Sequence, residues 1–193
     1  MATTIEDGSG RGFSAKVDDE NRLYTRSITE SEFDYGTRKG RAYNINTLFY
    51  PITGSTEVPI IYFKNNEEKT ITLAAWFIGT SCATSANGIL KMYTNPSSGT
   101  IISGGEDIAA VNRLIGSSNT LDADIKKGGD GFTVAGYSSE PVLYQPQGAT
   151  SRTFGNIQIA VEKGGSVVVN YDPNGQAPFQ IYIGFQLYVG ELE

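Results

Sequence analysis

Short runs rich in β-branched and aromatic residues recur along the chain from residue 42 to residue 189, and clusters of turn-forming residues separate them. The runs cover residues 42–50, 58–64, 70–79, 88–94, 108–115, 132–134, 142–144, 157–161, 167–169 and 179–189. Such runs are typical of β-strands, and the Asn, Asp, Gly, Pro and Ser between them are typical of turns. This spacing predicts an all-β fold, an antiparallel β-sandwich of the jelly-roll kind.

The C-terminal part of the chain has the clearest strand pattern. Apolar residues occupy every second position of the last run, at Ile181, Ile183, Phe185, Leu187 and Val189. Because side chains alternate between the two faces of a strand, we expect these residues in the core and Tyr182 and Tyr188 on the opposite face. Gly164-Gly165 between two apolar runs predicts a β-hairpin. Asp172-Pro173-Asn174-Gly175 predicts the next turn, and we expect residues 157–189 to form central strands.

The N-terminal part has weaker signals. Residues 1–12 are rich in Gly and small polar residues, so we expect a flexible arm, followed by a single β-sandwich domain at residues 13–193. Alternation over residues 21–28 predicts a strand. Thr29 can cap a helix over residues 30–35, which Gly36 and Gly40 would soon end, so the fold contains at most one short helix.

The chain of 193 residues contains no histidine. This absence excludes a Ser-His-Asp or Cys-His nucleophile and an imidazole metal ligand. Cys82 is the one cysteine, so no intramolecular disulfide can form, and no cation adjoins it in sequence to activate its thiol. We therefore expect a protein that is not an enzyme and has no catalytic residues.

The charge and hydropathy of the chain limit its partners. The formal net charge is −6, which argues against a nucleic-acid partner because binding phosphates needs clustered Lys and Arg. No apolar run is long enough to cross a membrane, and residues 1–12 lack the apolar stretch of a secretory signal. We therefore expect no nucleic acid and no membrane as partners, and synthesis in a cytoplasm.

Two glycine-rich segments with adjacent cations are candidate phosphate sites. They are Gly8-Ser9-Gly10-Arg11-Gly12 and Lys126-Lys127-Gly128-Gly129-Asp130-Gly131. A phosphate-binding loop follows a strand and opens a helix, and neither segment has that context. We interpret them as part of the arm and as a tight turn, and we expect no cofactor.

Acidic residues are candidate calcium ligands, either Asp122, Asp124 and Asp130 or Asp172 and Asn174. Their spacing does not match an EF-hand loop, and turn preference alone explains Asp172 and Asn174. The interpretation is therefore that the chain has no metal site.

A pair of carboxylates can hydrolyse glycosidic bonds without histidine. The carboxylates here come in runs, at Asp18-Asp19-Glu20 and Glu67-Glu68, which are typical of solvated loops rather than of two separated groups in one cleft. Trp76 and the 11 tyrosines are candidates for stacking on a glycan. Apolar residues flank Trp76, however, which predicts that it packs in the core.

Several short strings within residues 11–136 form a recognisable set. They are Lys16-Val17-Asp18 followed by Asn21-Arg22-Leu23, Gly40-Arg41-Ala42-Tyr43-Asn44-Ile45-Asn46-Thr47, Tyr62-Phe63-Lys64-Asn65-Asn66-Glu67, Gly99-Thr100-Ile101-Ile102, and Asn112-Arg113 with Gly116-Ser117-Ser118. Together they resemble a family of structural proteins from the heads of tailed bacteriophages. The chain departs from the pattern at Leu114-Ile115, where the family would have Asn-Phe.

The resemblance implies a capsid decoration or cement protein, similar to trimeric jelly-roll proteins that clamp neighbouring capsomers. It implies two kinds of partner, the major capsid protein and further copies of the chain in a homotrimer, and a location on the outer capsid surface of the virion. The arm at residues 1–12 would order on the lattice. Two alternatives stay open: a receptor- or glycan-binding module of a head or tail fibre, and an enzyme that uses two carboxylates.

Overall fold

The computed structural model describes residues 5–6, 14–15, 31–82, 88–95, 100–128, 131–147, 150–175 and 179–190. By internal contacts the chain divides into two units, Met1–Ser31 and Glu32–Glu193. In the first unit β1 (Ile5–Glu6) pairs antiparallel with β2 (Ser14–Ala15). The rest of the predicted arm at residues 1–12 and the predicted strand at residues 21–28 lie outside the described residues, and the boundary after residue 12 stays a prediction.

The second unit is built almost entirely of strands. Its described elements are α1 (Glu32–Arg38), β3 (Ala42–Asn46), β4 (Tyr50–Ile52), β5 (Val58–Asn65), β6 (Ile71–Cys82), β7 (Gly88–Asn95), β8 (Thr100–Ser103), β9 (Glu106–Asp107), β10 (Val111–Asn112), β11 (Ala123–Lys127), β12 (Thr133–Ala135), β13 (Leu143–Gln147), β14 (Thr150–Val161), β15 (Ser166–Asp172) and β16 (Phe179–Val189).

Two antiparallel six-stranded sheets enclose one core. Sheet I has the order β10-β3-β16-β6-β14, with β4 also paired to β16, and sheet II has the order β13-β7-β15-β5-β11-β9. β8 and β12 form a separate two-stranded sheet. The prediction of an all-β antiparallel sandwich with at most one short helix is confirmed in the described part of the chain. The chain passes from one sheet to the other between β5 and β6, β6 and β7, β14 and β15, and β15 and β16. This winding is consistent with a jelly roll, which stays a prediction.

The core lies between the inward faces of the two sheets. On β16, the four residues Ile181, Ile183, Phe185 and Leu187 are each 0% exposed, and Trp76 of β6 is 2% exposed. The predicted alternation of β16 and the predicted core position of Trp76 are therefore confirmed. Burial of each large apolar side chain contributes about 1.5 to 3 kcal/mol, so these strands are a main source of stability.

The predicted hairpin at Gly164-Gly165 is wrong. β14 pairs with β6 at the edge of sheet I, whereas β15 lies between β7 and β5 in sheet II, so the two glycines connect opposite sheets. The turn is bound to Asn65, whose N–H donates to Gly165 O at 3.0 Å and whose carbonyl accepts from Gly164 N at 2.8 Å. Residues 167–169 are all buried, so β15 needs neighbours and cover on both faces. Of residues 157–189, β15 and β16 are central and β14 is not.

The predicted strand at residues 108–115 is also wrong, because only β10 forms within it. Val111 is 65% exposed and Ile115 is 99% exposed, whereas Ile108 and Ala110, which precede the strand, are partly buried against the core. The Leu114 N–H donates to the side-chain oxygen of Asn112 at 2.9 Å. Such a side-chain turn competes with strand pairing and ends the strand at once.

The helix continues past Gly36, which sequence reasoning had placed at its end. An added Cβ at Gly36 would lie 3.2 Å from Tyr188 Cβ, so glycine allows close packing of α1 on β16. Gly40 ends the turn that follows, with φ of 67°. The Arg41 N–H donates to Gly36 O at 2.7 Å and the Gly40 N–H to Thr37 O at 3.0 Å, a Schellman motif.

Candidate functional site

The outer face of sheet I carries an exposed group of apolar side chains, which we call the aromatic patch and define as Leu48, Phe49, Phe77, Phe154 and Tyr182. Leu48 is 67% exposed, Phe49 53% and Phe154 63%. The ring centroids of Phe49 and Tyr182 lie 4.6 Å apart at an interplanar angle of 73°, an edge-to-face contact. The apolar groove beside Leu48 is lined by residues of this patch and by Asn46.

Glycines on neighbouring strands keep the rings of the patch flat against the sheet. An added Cβ at Gly79 would lie 2.0 Å from the ring of Tyr182, and one at Gly184 would lie 2.1 Å from the ring of Phe77. Both glycines are buried under these rings. The rings are therefore held in place by packing before any partner arrives.

The loop after β3 presents Leu48 and Phe49 through a fixed backbone. Thr47 is 0% exposed, and its hydroxyl accepts from Ile183 N at 2.9 Å and donates to Leu48 O at 3.1 Å. The Leu48 N–H donates to Asn46 Oδ1 at 2.8 Å. Leu48 itself has φ of 57°, a left-handed conformation that costs free energy for any residue with a branched apolar side chain.

The outward positions of sheet I are almost free of charge. In β3, β6, β14 and β16, as the structure describes them, the outward register positions hold Ala, Asn, Gln, Gly, Ser, Thr, Phe and Tyr, and the one such position with a Lys, Arg, Asp or Glu is Arg152, which pairs with Gly79. We call this surface the neutral face. Strand positions that face solvent usually hold polar or charged residues. This chain has 36 charged residues, 15 Lys and Arg and 21 Asp and Glu. Charged residues are depleted in the buried core of protein interfaces, so this face is a candidate interaction surface.

The other end of the neutral face is covered by α1. Phe33 packs edge-to-face on Tyr188, with ring centroids 6.5 Å apart. The guanidinium of Arg113 lies 4.8 Å from the centroid of the Phe33 ring and donates to Asn44 Oδ1 at 3.1 Å. The predicted outward direction of Tyr182 and Tyr188 is confirmed, but the chain covers Tyr188 itself.

A second exposed apolar feature is the loop at residues 112–119. Ile115 at its tip is 99% exposed. The side-chain amides of Asn112 and Asn119 donate to the carbonyl of Gly40 at 2.8 and 3.1 Å, and Ser117 N donates to Leu114 O at 3.0 Å. These bonds hold the loop against the end of α1, so Ile115 stands on a braced support.

A polar cluster lies on the outer side of sheet II. Lys91 Nζ contacts Glu57 Oε2 at 2.5 Å and Asp172 Oδ2 at 3.2 Å. The Tyr93 hydroxyl and the Asn170 amide donate to Glu57 Oε1 at 3.0 and 2.8 Å. The cluster joins β7, β15 and the segment before β5.

The electrostatics of this cluster argue for a structural role. Burial disfavours the charged form of Lys91, but its bonds to Glu57 and Asp172 outweigh burial and raise the pKa of Lys91 above its usual value. A lysine that keeps its proton is not a nucleophile. Burial, with the hydrogen bond to Glu57, raises the pKa of Tyr93 to about 12, so its hydroxyl also stays protonated.

The acidic candidates for calcium do not meet in the described part of the chain. Asp124 Oδ1 accepts from Asn66 Nδ2 at 3.2 Å, and the Asp122 N–H donates to Glu67 Oε1 at 2.9 Å. Asp130 lies outside the described residues. Within those residues no group of three or more His, Cys, Asp or Glu side chains is placed to hold a metal ion.

The turn at residues 172–175 is confirmed. The Asn174 N–H donates to Asp172 Oδ1 at 2.8 Å, and Asn174 and Gly175 have φ of 53° and 76°. Turn geometry accounts for both polar side chains.

The remaining candidates are held in ion pairs or lie outside the described residues. Lys126 pairs with Asp107 at 2.6 Å, Lys127 with Glu106 at 3.2 Å, and Lys163 with Glu68. Residues 8–12 and 18–20 and the side chain of Cys82 are not among those the structure describes. No helix in the described ranges is long and apolar enough to span a membrane.

Sequence reasoning missed both exposed apolar features. Leu48 and Phe49 fall inside the apolar run at residues 42–50, where they resemble strand residues. The exposed loop at Ile115 has a sequence signal, because the apolar pair Leu114-Ile115 stands between the turn-forming residues Asn112 and Gly116. Comparison of the chain with protein-family models, with curated proteins and with solved structures finds no match.

Proposed function

We propose that the chain is a decoration or cement protein of a tailed-bacteriophage head, which binds the outer capsid surface as a homotrimer and stabilises the lattice. The proposal starts from the strings that resemble phage head proteins. Its partners are then the major capsid protein and further copies of the chain.

The observation that carries the proposal is that two of those strings, far apart in sequence, meet around Gly40. Asn112 binds the Gly40 carbonyl, and the Arg113 N–H donates to Ala42 O at 2.9 Å. An added Cβ at Gly40 would lie 2.8 Å from Ser117 Oγ, so the two segments are in close contact. Between Asn112-Arg113 and Gly116-Ser117-Ser118 lies the exposed Ile115, where the chain departs from the pattern of the phage head proteins.

A braced apolar tip suits docking on a protein lattice. Ordering a loop on binding costs free energy, and the hydrogen bonds around Gly40 have already ordered this one. A single apolar side chain that enters a pocket of the partner can supply much of the binding free energy. We therefore assign Ile115 as the main capsid contact of the described part of the chain.

The test is cosedimentation of the purified chain with heads assembled from the major capsid protein of the same phage. We expect saturable binding and heads that withstand a higher temperature before they release their contents. A chain that neither binds such heads nor occurs in purified virions by mass spectrometry would contradict the proposal.

Variants of Ile115 test the assigned contact. Ile115→Asp should lower head binding at least about tenfold, because it would bury a carboxylate in an apolar contact, while Ile115→Leu should bind normally. Deletion of residues 1–12 tests the expected anchoring arm. If only that deletion reduces binding, the contact belongs to the arm and not to Ile115.

A receptor- or glycan-binding module of a phage fibre is the second candidate, because the aromatic patch also fits sugar rings. Aromatic rings stack on sugars, and the exposed amides of Asn46 and Gln180 beside Tyr182 can bond hydroxyl groups. Binding on a glycan array that is lost in Phe49→Gln would favour this candidate.

A further inference from the structure

We propose that the aromatic patch is the surface through which copies of this chain contact one another around a symmetry axis. The inference rests on the proposed function in that a homotrimer is expected there. The inference assigns the oligomer contact to the aromatic patch, which is a different surface from the capsid contact at Ile115. Several independent observations favour a second copy over another occupant.

The distribution of charge favours a second copy. Residues next to a symmetry axis face their own counterparts, so a charged side chain there meets the same charge. The chain as a whole carries −6, so two copies repel each other over most of their surface. On the neutral face the patch residues carry no charge, and this is where like copies can approach. A partner of different sequence would be recognised by complementary charges, which the patch lacks.

The polar residues around the patch are suited to pairing with themselves. Asn46, Asn156 and Gln180 are exposed beside the patch on β3, β14 and β16. An amide side chain has both donor and acceptor groups, so it can bond to the same residue of another copy. Carboxylates or ammonium groups cannot do this.

The conformation of Leu48 shows that the exposed patch is maintained against a cost. Leu48 is 67% exposed and has φ of 57°, where Gly or Asn would be less strained. Both the exposed apolar side chain and the left-handed backbone of Leu48 lower the stability of the isolated chain. Burial of Leu48 against another copy recovers the exposed apolar area.

In the described part of the chain, the two ends of the neutral face are covered differently. α1 covers the end near Tyr188, while Phe49, Phe77 and Tyr182 form a preordered surface at the other end. Preordered rings lose little conformational entropy on association. Among the described residues of the neutral face, the patch is thus a preordered and uncharged surface that no other described segment covers.

The experiment measures the mass of the full chain in solution by analytical ultracentrifugation over a dilution series. Wild type should form an oligomer, with a trimer at three times 20.8 kDa expected. Phe49→Gln and Phe154→Gln should raise the dissociation constant at least about tenfold, and the double variant should sediment as a monomer. Both side chains are more than half exposed, so circular dichroism should show an unchanged fold.

Leu48→Asn and Ile115→Asp complete the set. Leu48→Asn removes an exposed apolar side chain and suits the left-handed backbone, so we expect it to weaken association while circular dichroism shows an unchanged fold. Ile115→Asp places a charge on the other exposed apolar feature and should leave the mass unchanged. If Ile115→Asp dissociates the oligomer and the patch variants do not, the inference is overturned.

The outcomes separate this inference from the proposed function. An oligomer that the patch variants dissociate, but that binds no heads, sustains the inference and contradicts the capsid role. A wild-type monomer at every concentration overturns the inference whether or not heads are bound. If the monomer binds heads or glycans and Phe49→Gln abolishes that binding, the patch takes that partner instead of a second copy.

Discussion

The outer faces of the two sheets are covered in different ways. On sheet II, Tyr62, Tyr93 and Val168 form a small apolar cluster that Phe132 and Val134 cover, so the chain supplies its own lid. On sheet I, α1 covers one end, and the aromatic patch at the other end has no cover from the described part of the chain. In the described residues, the apolar cluster on the outer face of sheet II is therefore covered, whereas the aromatic patch on the outer face of sheet I is not.

Charge follows the same division. The outward positions of sheet II include Lys64, Lys91, Asp124 and Lys126, beside the apolar cluster. On the neutral face of sheet I the five residues of the aromatic patch carry no charge although water can reach them, and Arg152, at the position paired with Gly79, is the one charged residue at the outward strand positions described. Charged side chains beside the covered cluster of sheet II remain in water. Around a contact between two copies of the chain, the same charges would face each other and repel. The absence of charge, more than the presence of phenylalanine, therefore distinguishes the open end.

The largest expected effect tests the register on which the comparison depends. Phe185→Ala should lower the free energy of unfolding by about 3 to 5 kcal/mol, because Phe185 is 0% exposed and its removal leaves a cavity. Chemical denaturation measures the change. If the variant is as stable as wild type, β16 is shifted by one residue and its two faces exchange.

A smaller effect compares the covered and uncovered ends of one strand. Tyr188→Ala should cost about 1 to 2 kcal/mol, because it removes the contact with Phe33 of α1. Tyr182→Ala should cost less than this and should weaken association more than folding, because its ring lies in the aromatic patch. Chemical denaturation and sedimentation of both variants measure the two effects. Equal losses of stability and of association in the two variants would contradict the prediction.

The fold was predictable where it depends on periodicity. The alternation in β16 and the turn signals define strands because each residue's burial follows from its position in the strand. The Gly164-Gly165 turn was misinterpreted because two glycines permit a tight turn but do not specify whether the next strand joins the same sheet. That choice depends on β15, which needs cover on both faces.

The candidate surface was not predictable because exposure depends on what lies above a residue. Phe154 and Trp76 are both aromatic residues within β-strands, yet one is 63% exposed and the other 2%. Trp76 lies at an inward position of β6, whereas Phe154 lies at an outward position of β14, opposite Phe77, where no described part of the chain covers it. The strained loop at Leu48 is likewise defined by the buried hydroxyl of Thr47, which sequence patterns do not reveal.

The covered face also predicts a response to alkaline pH. The pKa of Tyr93 is raised to about 12 from the usual 10.0, so the neutral hydroxyl stabilises the fold below pH 10 and this contribution is lost as the pH rises towards 12. Tyr93→Phe should cost about 1 kcal/mol at neutral pH through the lost bond to Glu57, and its stability should fall less than that of wild type between these pH values. Urea denaturation across the range provides the measurement, and parallel curves would contradict the prediction.

The smallest effect concerns the strain at the open end. Leu48→Asn should leave the free energy of unfolding unchanged or raise it by up to about 1 kcal/mol, because Asn adopts a left-handed backbone more readily than Leu. The comparison is best made in the double variant with Phe49→Gln and Phe154→Gln, which is expected to be a monomer, so that association does not contribute to stability. The same change at a strand position with ordinary φ, such as Ile183→Asn, should be strongly destabilising, because Ile183 is 0% exposed. If Leu48→Asn also destabilises the monomer, Leu48 is needed for folding, and its exposure would no longer distinguish the open end of sheet I from the covered one.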